Sequence, residues 1–452
     1  VVSTNSPGVQ APAAPADTGR SRGLPRGGAF WLVGLVSVLL LISSTVPSPM
    51  YVIYQQRWHF SAAMITVVFG VYALFVLASM LLFGSLSDTV GRRPVLVFSL
   101  LLMVVAMVLF AVAGNVWWLL VARAVQGVGV GIATGTLGAA LIELSPRSAP
   151  ARGMLINTVA PTFGMALGAL GSGLLVQYAP SPTKLSYIIL LLVFACLGVA
   201  LLFLPETAPS AGHGFRIVPR RISIPKAARR PFALVALTIV AVWAIGGLFL
   251  SLGPSLVAQM LHSNSHVLGG LVVTALAGGG TVAQLLFGRL TGLRPIVLGG
   301  VLLLVGLGVD TLSLSQGSAA LFFTGTAILG LGWGSAFMGA FRSMAALADP
   351  VHRGELLAGV YVVAYLAMCL PAIAAGIAVP HAGLHTTTNV FTAVVAVLVV
   401  IALGSLPFVS RHHRSGRVGA HQPVVQHTPG PCCLATHDAA GSTVAPVPVG
   451  AH

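Results

Sequence analysis

Charge is what this chain has least of. Only 7% of its 452 residues are Asp, Glu, Lys or Arg, and 8 of them are acidic. An ordinary soluble domain carries about 25% charged residues, so a set this sparse excludes a soluble domain of useful size. The net charge of +15 would suit a nucleic-acid partner, but no basic stripe interleaved with aromatics occurs, and no nucleic acid is expected. Cysteine is equally scarce. Cys196 and Cys369 lie inside apolar runs and Cys432-Cys433 in a polar tail, none at zinc-ligand spacing with a histidine set. Of the 13 histidines, 6 fall in the same tail. No phosphate-binding Walker loop, nucleophile elbow or HExxH arrangement is present, so neither an enzyme nor a cofactor or metal is expected.

What is abundant is apolar: 56% hydrophobic residues, 53 glycines, 28 prolines and a mean hydropathy of +0.97. These values describe an all-α polytopic membrane protein embedded in a lipid bilayer. Runs near the ~20 residues needed to span occur at about 29–51, 62–86, 94–113, 117–143, 154–178 and 186–204, then 232–258, 267–290, 295–315, 319–347, 355–379 and 388–409. The expected organisation is a disordered arm (1–28), a six-helix bundle (29–204), a basic central loop (205–231), a second six-helix bundle (232–409) and a disordered tail (410–452). The arm is read as a cytoplasmic segment and not as a signal peptide, because no small-residue cleavage site follows its basic end.

Twelve spans place both ends on one side. With the amino terminus inside, 19 of the 23 Lys and Arg fall on the cytoplasmic side, while Arg57 and Lys184 face outward and Arg123 and Arg342 lie within spans. That bias predicts cytoplasmic termini in an inner (plasma) membrane. The halves also repeat. Gly84 with Arg92-Arg93-Pro94 corresponds to Gly288 with Arg294-Pro295, Gly127, Gly129 and Gly131 to Gly330, Gly332 and Gly334, Arg152-Gly153 to Arg353-Gly354, and Gly173 to Gly376. A six-plus-six repeat of this kind builds a two-bundle transporter with its site between the halves near mid-membrane.

Between the second and third runs lies Gly84-Ser85-Leu86-Ser87-Asp88-Thr89-Val90-Gly91-Arg92-Arg93-Pro94. Gly91 and Pro94 end one helix and begin the next, and the arginines pin the turn to a membrane surface with Asp88 near enough to pair. This G-x-x-x-D-x-x-G-R-R-P pattern resembles motif A of the major facilitator superfamily of secondary transporters. Thr89 departs from it, since the family usually has Arg or Lys there. Arg123, Gln126 and Gly127 resemble the family's motif B, which implies a part for Arg123 in proton coupling or substrate binding. Snorkelling of Arg123 to the outer surface is the plainer alternative.

Glu143 at the end of helix 4 and Pro205-Glu206-Thr207 at the end of helix 6 resemble sugar-porter members. An ion-pair network of Asp88, Arg92, Arg93, Glu143, Arg152 and Glu206 is expected to hold the cytoplasmic side closed in one of two states, with solvated helix-end charges as the alternative. In helix 5, Gly164, Gly168 and Ser172 form a small-residue ridge for close helix packing. Pro161 of Ala160-Pro161 is the nearest match to the Gly-Pro of motif C, a mark of drug/proton antiporters.

The resemblance further implies that the first and fourth helices of each half face the centre. This nominates Ser43, Ser44 and Tyr51, Gln126, Trp243 and Trp333 as cavity lining, with Tyr72 and Tyr365 behind them, for amphipathic or uncharged solutes. Asp310, about 22 Å along its helix from Pro295, is read as an interfacial helix-end charge, with a coupling site as the alternative. The expected function is proton-coupled efflux of drugs or small metabolites by a monomer. Import or facilitated diffusion of a sugar or metabolite, and a non-transporting sensor or scaffold, remain as alternatives.

Overall fold

Apolar runs of this length have one low-energy form in hydrocarbon, the α-helix, because it satisfies its own backbone hydrogen bonds. The computed structural model describes residues 23–207, 224, 229–263, 265–347 and 353–418, and every regular element among them is an α-helix. The proposed arm up to residue 22, most of the central loop and the tail beyond residue 418 lie outside the described residues. Residues up to Val409 belong to one compact unit, and the described part of the second unit is the last stretch of α15.

The first half contains α1 (Arg26–Thr45), α2 (Tyr51–Trp58), α3 (Ala62–Phe83), α4 (Leu86–Val90), α5 (Arg92–Ala111), α6 (Val116–Glu143), α7 (Ala151–Tyr178) and α8 (Leu185–Leu201). The second contains α9 (Arg229–Ser251), α10 (Gly253–Met260), α11 (His266–Leu286), α12 (Arg294–Gln316), α13 (Ala319–Leu347), α14 (Arg353–Ala382) and α15 (Leu384–Val418). Among the described residues, eleven helices are long and apolar enough to cross a membrane, and α8 is a shorter apolar helix of 17 residues. Together they make twelve crossings in a multi-pass membrane protein.

Two expected spans prove to be broken. The run 29–51 stops at Thr45, and the chain turns through Pro47 and Pro49 before resuming as α2. The run 232–258 stops at Ser251 and restarts as α10 with Pro254 in its first turn. Proline has no N–H for the preceding turn and clashes with it, so each helix is interrupted there. The interruptions occupy equivalent places in the two halves. Boundaries move at the other end too: α1 begins at Arg26 and α9 at Arg229, three residues before the starts expected at 29 and 232.

The sequence repeat is a packing repeat. A methyl group on Gly127 would meet the Tyr72 carbonyl of α3 and one on Gly129 the Ser99 carbonyl of α5, and Gly330 and Gly332 approach α11 and α12 in the same way. Gly173 of α7 lies against α11, and Gly376 of α14 against Thr66 of α3, so this pair joins one half to the other. Arg26, Glu143, Arg92 and Phe203 meet on one side, here the basic face, whereas Tyr54 and Thr183 meet on the opposite, distal face.

Candidate functional site

A cavity of about 220 Å³ lies between the halves. Its deep end is formed by Ser44 and Thr45 at the end of α1, Tyr72 of α3 and Leu250 of α9. From there it runs toward the basic face past Trp243, Trp333 and Phe337 to Asn157, Phe341, Arg342 and Tyr361. Trp243 packs edge-on against Phe337 at 5.3 Å and tilted against Tyr365 at 5.4 Å. A second, wider cleft of about 670 Å³ opens on the distal face between α2, α10 and α11, lined by Pro49, Gln55, Pro254, Gln259 and His262 among others. The wider cleft is not the better site. The narrower one is where the repeat, the aromatics and the buried arginine meet.

Only a thin layer separates the two, at the points where α1 and α9 are interrupted. Ser48 Oγ donates to the Leu250 carbonyl at 3.0 Å across the two halves, and Ser172 Oγ donates to the Val46 carbonyl at 2.6 Å. His266 N donates to Gln177 Oε1 at 2.9 Å nearer the distal end.

Of the residues nominated for the cavity, Ser44, Trp243, Trp333, Tyr72 and Tyr365 lie on its wall. Ser43, Tyr51 and Gln126 do not, and instead surround Arg123 directly behind it. Arg123 is fully buried, which rules out its snorkelling to the outer surface. Its Nη1 donates to the Ser44 carbonyl at 3.0 Å and to Gln126 Oε1 at 2.8 Å, and its Nε donates to the Tyr51 hydroxyl at 2.9 Å. Its Nη2 reaches the same hydroxyl, and Gln126 Nε2 donates onward to the Ser43 carbonyl at 2.9 Å. The rings of Tyr72, Tyr51 and Phe110 stand 5.2, 5.6 and 5.8 Å from the guanidinium carbon. Hydrogen bonds and aromatic faces thus offset the burial of a charge that has no carboxylate partner among the described residues. Ser44 and Tyr72, joined at 2.8 Å through their hydroxyls, touch both the arginine and the cavity.

On the basic face, Arg92 bridges Asp88 at 2.5 Å and Glu143 at 3.1 Å. Glu206 accepts from the backbone N–H groups of Arg92 at 2.7 Å and Arg93 at 3.1 Å, placing a carboxylate at the positive end of α5. Gly91 turns the chain there at φ +106°, and a methyl group on it would stand 2.7 Å from Glu206 Oε2. Gly84 closes α3 just before this turn. Arg26 donates to the Glu143 carbonyl at 2.8 Å and Thr207 to its carboxylate at 2.5 Å. Arg26 lies outside every motif named above, and Thr207 lies inside one, but the pairing of either with Glu143 depends on how the helix ends meet.

Two expectations change. Arg152 makes no ion pair among the described residues, and no described ion pair reaches the second half, so the network here is internal to the first bundle. Asp310 is not a solvated helix-end charge. It is 5% exposed between α12 and α13, with Oδ1 3.5 Å from Thr326 Oγ1 and no partner for Oδ2.

On α7, Gly164 and Gly168 lie against the Val38 and Ile42 carbonyls of α1, while Pro161 faces the cavity. Thr162 of the same helix reaches Gln284 Oε1 on α11 at 3.1 Å.

The family model of the Major Facilitator Superfamily matches residues 33–309, more than half of this chain. The chain belongs to that superfamily. Among curated superfamily relatives, the uncharacterized transporter EfpA of Mycobacterium tuberculosis is 32% identical over 176 residues, or 39% of this chain and 32% of EfpA. The multidrug resistance protein MdtL of a Shewanella strain is 30% identical over 159 residues, or 35% of this chain and 40% of MdtL. The matched part therefore spans only about a third to two-fifths of these relatives. The superfamily fold extends further: the inward-facing, unoccupied crystal structure of a bacterial homolog of the human lysosomal transporter Spinster superposes with a TM-score of 0.69. It shares 15% identity over 86% of this chain and 98% of that one.

Proposed function

We propose that the chain is a secondary transporter that carries an amphipathic small molecule across the membrane by alternating access. One observation carries the reading: two cavities approach each other from opposite faces and are kept apart by the thin layer around Ser48 and Leu250. Rocking of the two halves about the α7–α11 and α3–α14 contacts would open that layer and close the basic side. The conformation described here then corresponds to the state open toward the cytoplasm, with the positive-inside bias placing both termini there.

Export coupled to protons is the direction we assign, supported by Ala160-Pro161 as the nearest match to motif C of drug/proton antiporters, by the part in proton coupling that motif B implies for Arg123, and by the multidrug resistance protein MdtL among the relatives. Arg123 acts one layer behind the substrate, through Ser44 and Tyr72. Asp88, 54% exposed at its side chain, is available for a different partner when the basic side closes. The working unit is a monomer in the plasma membrane.

The test is flux in proteoliposomes with and without an imposed pH gradient, for wild type, Asp88→Asn and Arg123→Ala. Gradient-driven accumulation of a lipophilic solute, lost in both variants, is the expected result. Sugar equilibration regardless of the gradient would replace export with facilitated import. Absence of flux for every solute tested would favour a sensor or scaffold.

A further inference from the structure

We infer that the solute taken by the central cavity is an aromatic or amphipathic organic anion, held by donors on the wall, and not a lipophilic cation. The inference rests on the transport reading only for the word transport; the binding preference follows from the cavity itself. Its wall combines aromatic faces with hydrogen-bond donors and lacks anionic acceptors. Among the described residues no carboxylate lines it. Arg342 does, and its only described hydrogen bond is from Nη1 to the Gly288 carbonyl at 2.8 Å, with no ion pair. A second guanidinium without a carboxylate partner among the described residues, Arg123, lies directly behind Ser44 and Tyr72.

The neutral groups point the same way. The indole N–H groups of Trp243 and Trp333 are buried without a partner. Trp333 is 7% exposed, and its nitrogen lies beside Gly246, another wall residue. Buried donors with no acceptor are costly; neither nitrogen opens onto the cavity in this conformation, and a turn of either ring is what brings it to an acceptor on a bound solute. Gln284 accepts from Thr162 with its carbonyl oxygen, which leaves its amide N–H groups to a solute. Against this, wall hydroxyls such as Thr134 and Thr158 spend their hydrogens on the Val130 and Met154 carbonyls and offer a solute only lone pairs.

The competing ligand is a lipophilic cation stacked on the same rings. Cation–π attraction contributes on the order of 0.5–2 kcal/mol. Arg123, buried behind the wall with no carboxylate partner among the described residues, opposes a cation in this low-dielectric space and favours an anion, and Arg342, exposed at the basic-face end, adds a weaker, solvent-screened contribution of the same sign. The electrostatic sign of the wall therefore decides between them. The expected ligand carries a carboxylate, sulfonate or comparable acceptor near Arg342, with its ring among Trp243, Trp333 and Tyr365.

The experiment uses the full-length protein in detergent and three probes of one shape: 2-naphthoate, neutral 2-naphthamide and (2-naphthyl)trimethylammonium. Affinities are read by calorimetry. We expect naphthoate to bind at least about tenfold more tightly than the ammonium, with the amide between, as one charge-assisted hydrogen bond implies. Arg342→Gln should bring naphthoate to the level of naphthamide. Trp243→Phe with Trp333→Phe, which keeps the rings and removes both donors, should weaken naphthoate and naphthamide alike. Equal or tighter binding of the ammonium, naphthoate binding that Arg342→Gln leaves unchanged, or no binding of any probe would overturn the inference. Flux of the ammonium without naphthoate binding refutes the anion preference and leaves transport standing. Naphthoate binding without flux of any solute does the reverse.

Discussion

At Arg123 the cost of burying a charge in hydrocarbon is met by one tyrosine hydroxyl, one backbone carbonyl, one amide oxygen and three ring faces. The planar fork is what permits this, since an ammonium cannot reach Tyr51, Ser44 and Gln126 together. Arg123→Lys is therefore expected to keep the fold and lose roughly tenfold or more of gradient-driven flux, measured in proteoliposomes beside its melting temperature. Asp310 presents the opposite case. Its Oδ2 has no partner, so an amide of the same shape breaks no ion pair. Asp310→Asn is expected to hold the melting temperature in detergent within about 2 °C, and a larger fall would show that its charge is required. Arg123 was legible as a candidate because a lone arginine deep in an apolar run is too costly there without partners. Its partners were not, since Tyr51 reaches it only because the chain breaks after α1, and Ser44 meets it with a backbone carbonyl and not a side chain.

At the scale of elements, the start of α5 depends on a glycine and a distant carboxylate. Gly91 at φ +106° has Glu206 against it, so Gly91→Ala brings both backbone strain and displacement of the cap. It should destabilise the protein by about 1–3 kcal/mol, seen as a lower melting temperature in detergent, and Glu206→Gln by less because the amide still accepts. The α1–α7 pair makes a second element-level test. Gly168 lies against the Ile42 carbonyl and Thr45 of α1, leaving no room for a side chain. Gly168→Leu should prevent close packing and reduce folded yield in the membrane, read by size-exclusion profile, whereas Gly171→Leu, with open space around it, should not.

For the whole molecule, the alternating-access cycle proposed here requires the thin layer between the two cavities to open. Cysteines at positions 48 and 250, where Ser48 now bonds the Leu250 carbonyl, placed in a background lacking the native cysteines, should crosslink on oxidation. Flux should then stop and return with reductant. Continued flux through the crosslinked protein would rule out opening at this layer. The basic-face network behaves differently at this scale. Among the described contacts it ties α4, α5 and α6 to the segment after α8 within one half, and so stiffens that bundle.

Span number, the two-fold repeat and the identity of the key charges follow from the sequence alone. Hydrocarbon tolerates only helices of about the membrane's thickness, and each buried charge or close-packed glycine there needs a reason that shows as a pattern. The tertiary structure alone decided which nominated side chains share the cavity and which stand behind it. It also decided that Glu206 caps α5, that Asp310 is enclosed, and that two proline breaks meet to divide the pathway. Those outcomes depend on how helices far apart in the chain rotate and tilt against one another, and hydropathy carries no record of rotation.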